Sequence, residues 1–72
     1  MNGHEFLRLL KRYGRSRGLK VEMDEKRGKG SHATVFLGDR YTVLKDRKKE
    51  LGKGLLRAML SDLGVSPEDF FR

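Results

Sequence analysis

Apolar residues first recur at helical spacing. Phe6, Leu9, Leu10 and Tyr13 fall on one face of a segment that starts at Asn2 with Glu5 three residues on, a capping-box pairing. A helix is therefore expected over 2–13, ended by Gly14, with 15–18 as a loop. The period then changes to two. Leu19, Val21 and Met23 alternate with Lys20, Glu22 and Asp24, the pattern of a half-buried strand within 19–25. The glycine-containing turn "KRGKGS" leads into a second strand, "HATVFLG", and "GDR" is short enough for a hairpin loop before a third, "YTVLK". After the basic connection "DRKKELGKG", Leu51, Leu55, Leu56, Met59, Leu60 and Leu63 form a second helical stripe capped by Gly64, its start blurred by Gly52 and Gly54. Ser66 and Pro67 open a short terminal turn carrying Phe70 and Phe71.

The order α-β-β-β-α, with turns too short for crossovers, implies an α+β fold: a three-stranded antiparallel meander with two helices on one face. On the second strand Ala33, Val35 and Leu37 belong to the covered face. Alternation then puts His32, Thr34 and Phe36 on the open one. Leu19, Val21 and Met23 are expected to join the covered face. The third strand is apolar on both faces and its orientation stays open.

Composition narrows the chemistry. Seventy-two residues make one domain, 1–72, near the lower limit for a chain that folds unaided. With no cysteine and two histidines, neither a disulfide nor a zinc cage is available, so no metal and no cofactor are expected. No apolar run is long enough to cross a membrane and no signal-peptide pattern is seen, so a cytoplasmic setting without membrane partners is expected. Lys and Arg number 17 against 10 Asp and Glu, a net charge of +7. Residues 8–20 carry six basic and no acidic side chains, whereas 58–72 are net acidic. Such a surface suits a polyphosphate partner; the plainer reading is a solvated face that keeps a small domain soluble.

The candidate chemistry centres on His32. RNA cleavage without a metal needs a base for the 2′-hydroxyl proton, an acid for the leaving 5′-oxygen, and cations for the charge growing on phosphorus. Histidine is the side chain whose ordinary pKa, about 6.5, suits proton transfer near neutrality. Arg27 and Lys29 lie just upstream, and glycine lets the backbone of Gly30 and Ser31 come close to a phosphate. The plainer reading is a solvated histidine at the end of a flexible hairpin. Lys45, Arg47, Lys48 and Lys49 cluster after the third strand, and Lys53 and Arg57 share a helix face. Each phosphate contact adds salt-dependent affinity without sequence specificity.

"KGSH" entering a strand, the turn "GDR", a third strand and then "ELGKGLLRAMLSDLGVSPEDFF" together resemble the HicA-type toxins of bacterial toxin-antitoxin modules. The resemblance covers 28–71 well and the first helix loosely. It implies a double-stranded-RNA-binding-like fold and an mRNA interferase, an endoribonuclease that arrests translation and is neutralised by a HicB-type antitoxin. His32 matches the family's catalytic histidine, with Gly30 and Ser31 completing the motif. Many members follow the third strand with a proline and a second histidine. This chain has "LKDRKK" there, so that role does not transfer.

Two other function classes fit the same residues. A non-catalytic RNA-binding module needs only the fold and the charge. A protein-interaction domain would use the apolar tail, Phe70 and Phe71.

Overall fold

The computed structural model describes residues 1–25 and 32–72. Its first helix, α1 (Gly3–Arg17), begins with the expected capping box: the Asn2 side chain accepts from the Glu5 amide, and the Glu5 carboxylate accepts from that of Asn2. The helix runs past the expected stop at Gly14. Gly14 is a buried packing position, where a Cβ would come within 2.7 Å of the Leu19 carbonyl oxygen. The C-cap is Gly18, whose φ of 68° is a conformation glycine adopts without strain. The residues expected as a loop therefore form the last turn, where Arg15 and Arg17 complement the helix dipole.

Strands β1 (Val21–Asp24), β2 (Ala33–Leu37) and β3 (Arg40–Leu44) form one antiparallel sheet in the order β1-β2-β3. The β1 strand starts later than expected. The Leu19 amide still closes the helix end on Gly14, at 2.8 Å, and Leu19 is left exposed instead of joining the core. The expected alternation of β2 holds: Ala33, Val35 and Leu37 are buried, while Thr34 and Phe36 lie on the other face. Register resolves β3. Leu44 and Thr42 stand across from Ala33 and Val35 and point inward, whereas Val43 and Tyr41 stand across from Thr34 and Phe36 and point out.

Helix α2 (Lys53–Leu63) covers the inner face beside β3. Leu51, read as part of its stripe, is buried ahead of the helix, and Leu55 is exposed. The core joins Phe6, Leu7 and Leu10 of α1 to Val35, Leu37 and Leu44 of the sheet and to Met59, Leu60 and Leu63 of α2. Arg40 locks the packing of β3 on α2, its guanidinium donating to the Asp62 and Ser61 carbonyls at 2.9 and 3.2 Å. The terminal turn, α3 (Pro67–Phe70), is capped by the Ser66 side chain as expected. Its Phe70 is buried against Phe6, with ring centroids 5.3 Å apart, so of the two tail phenylalanines one belongs to the core and Phe71 is exposed. Among the described residues no helix is long and apolar enough to cross a membrane.

Candidate nucleic-acid interface

His32 is the residue immediately before β2, and it is exposed. The β2–β3 register pairs Ala33 with Leu44, so one step further sets His32 across from Lys45. There the histidine enters a groove of about 370 Å³ at the end of the sheet, lined by His32, Lys45, Asp46, Lys49, Glu50, Leu51 and Leu55. Each residue arrives by a separate physical route. The residue before β2 supplies His32, the step after β3 supplies Lys45, and the connection to α2 supplies Lys49 and Glu50, the last bridged to Asn2. Burial of Leu51 fixes that turn, with its amide donating to the Met1 carbonyl at 2.8 Å.

The groove holds both signs of charge. The Asp46 carboxylate accepts from the Lys48 amide at 2.9 Å. Glu50 accepts from the Met1 amino group, and that hydrogen bond raises the amine above its usual pKa. Asp46 and Glu50 were not singled out from sequence, because the stretch "KDRKKE" reads first as a basic run. Their positions at its two ends were the available signal.

The other basic candidates lie elsewhere. Arg47 is half-buried; its guanidinium pairs with Glu25 at 2.6 Å, and its carbonyl accepts the His4 amide at 3.1 Å. With Lys48 it lines a different hollow, shared with His4 and Asp46. Lys53 and Arg57 share a third, beside Leu56, Leu60, Pro67 and Phe71. Lys45 and Lys49 are thus the described cations that the fold brings to His32. Arg27, Lys29, Gly30 and Ser31 lie outside the described residues. Among the described residues no cluster of His, Asp and Glu is arranged to hold a metal ion.

No protein-family model, curated protein or solved structure matches the chain.

Proposed function

We propose that the chain is a HicA-type mRNA interferase acting in the cytoplasm, a metal-independent endoribonuclease that uses His32 in acid-base catalysis. The observation that supports this most is the exposed His32 sharing one groove with Lys45 and Lys49. The element order, with a meander covered on one face by two helices, suits the double-stranded-RNA-binding-like fold that the resemblance implies.

In this reading His32 takes the proton of the ribose 2′-hydroxyl, or returns one to the leaving 5′-oxygen, and the two lysines offset charge developing on the phosphoryl oxygens. The complementary proton passes through Asp46 or Glu50 in the groove, or through water. Lys53 and Arg57, and to a lesser degree Lys48, hold more distant phosphates; Arg47 serves mainly to tie the connection to Glu25. A HicB-type antitoxin would act by covering this groove.

Expression of the chain alone should arrest growth with loss of intact messenger RNA, and His32→Ala should relieve both. Unchanged toxicity of that variant would sink the catalytic reading. The mixed charge of the groove and the spread of cations over three surface hollows favour one alternative, an RNA-binding module without cleavage. It predicts salt-sensitive binding and intact RNA.

A further inference from the structure

We propose that the chain pairs with a second copy of itself along the free edge of β3, giving one continuous six-stranded sheet across a twofold axis at Thr42. Among the described residues the sheet order leaves β3 with β2 on one side only. The Gly38 amide bonds the Lys20 carbonyl at 2.9 Å, so the even-numbered residues of β2 turn their backbone groups toward β1 and the odd-numbered ones toward β3. In β3 their partners are Arg40, Thr42 and Leu44. The backbone groups of Tyr41 and Val43 therefore point outward, away from the sheet.

Side chains mark the same edge. Tyr41, Val43 and Leu55 are 60%, 46% and 46% exposed, three of the five large apolar side chains that stand open among the described residues. All three line a groove of about 650 Å³ between β3 and α2, together with Ala58 and Met59. An unprotected apolar strand edge is a template for pairing.

Charge complementarity identifies the occupant. Antiparallel pairing of β3 with its own copy about Thr42 sets Tyr41 across from Val43 of the second copy, twice. This is an aromatic–β-branched pair in which both outward-facing backbone groups of each residue are bonded. The same register sets Arg40 across from Leu44, and Asp39 across from Lys45, so opposite charges meet at both ends of the ladder. Moving the axis to Tyr41 sets Asp39 against Val43 instead, and moving it to Val43 sets Tyr41 against Lys45; both lose the end pairs. The twofold also places the two α2 helices on the same side of the joined sheet, with Leu55 and Ala58 of each facing the seam. The interface is self-complementary, as a closed dimer requires.

Sedimentation equilibrium on the full chain tests this. The parent should run at twice its 8.3 kDa mass, with dissociation on dilution. Val43→Lys, a charge placed on the pairing edge, should leave a monomer with unchanged far-ultraviolet circular dichroism. Asp39→Lys and Lys45→Asp should each weaken self-association about tenfold or more by opposing like charges. Mixing these two variants in equal amounts should restore a heterodimer, since the substituted side chain of each copy then faces an opposite charge on the other. A parent that is monomeric at millimolar concentration overturns the proposal, whether or not another protein occupies the edge. So does a dimer whose strength ignores the charge reversals.

Discussion

The hydroxyl of Thr42 donates to the carboxylate of Asp62 at 2.9 Å, joining the inner face of β3 to the last turn of α2. Thr42 is 3% exposed, whereas Asp62 reaches solvent, so the two ends of this bond are not equivalent. Thr42→Val keeps the shape and frees an acceptor that water can serve, at about 1 kcal/mol. Asp62→Ala strands a buried hydroxyl and should cost more, about 1–3 kcal/mol. Urea denaturation of both variants checks the order; equal losses would mean the bond has no such asymmetry.

Glycines at two helical positions should respond in opposite directions to alanine. At Gly54 nothing lies within 4 Å of an added Cβ, so Gly54→Ala should raise stability by about 0.5–1 kcal/mol through helix propensity. At Gly14 the same propensity gain meets the Leu19 carbonyl oxygen at 2.7 Å, a backbone atom that yields only if the helix end moves. Gly14→Ala should lower stability by about 1–3 kcal/mol. Thermal melts of the pair give the comparison directly.

The adjacent phenylalanines of the tail divide likewise. Phe70→Ala empties a fully buried site against Phe6 and should cost about 3–5 kcal/mol, enough to unfold much of a domain this small. Phe71→Ala, at a side chain 52% exposed, should cost under about 1 kcal/mol. Removing residues 66–72 would therefore report on folding before it reported on any partner.

For RNA binding, Lys49→Ala and Lys53→Ala should each lower affinity without lowering stability, because both side chains are exposed. If each contacts one phosphate of a single strand, the slope of log affinity against log salt should fall by about 0.7 per substitution. Arg47→Ala should instead lose stability through its Glu25 pair, with a smaller change in salt slope. Fluorescence titrations at several salt concentrations separate the two behaviours.

Much of this architecture was legible because strong periodicities and caps agreed. Alternation in β2 set the buried and open faces, and Ser66 with Pro67 marked the start of α3. The misplaced boundaries share a cause. Gly14 satisfies the local signal for a helix end, yet tertiary packing uses it for close approach while Gly18 makes the turn. Leu19 fitted the strand period but is held by the helix cap. Phe70 next to Phe71 reads as one apolar patch until the fold buries the first. At the site, strand parity made the exposure of His32 readable. Which lysines join it depended on the path between β3 and α2, and Leu51 anchors that path through a contact with Met1, far away in the chain. Local sequence carries no record of such a contact.

The most direct measurement of the central claim is the single-turnover rate of RNA cleavage by purified parent and His32→Ala, with a chelator present throughout. His32 is exposed, so the variant should fold and melt like the parent. The catalytic account predicts cleavage by the parent in chelator and a rate lower by about 10²-fold or more in the variant. Equal rates for the two proteins, or intact RNA with the parent, would contradict it.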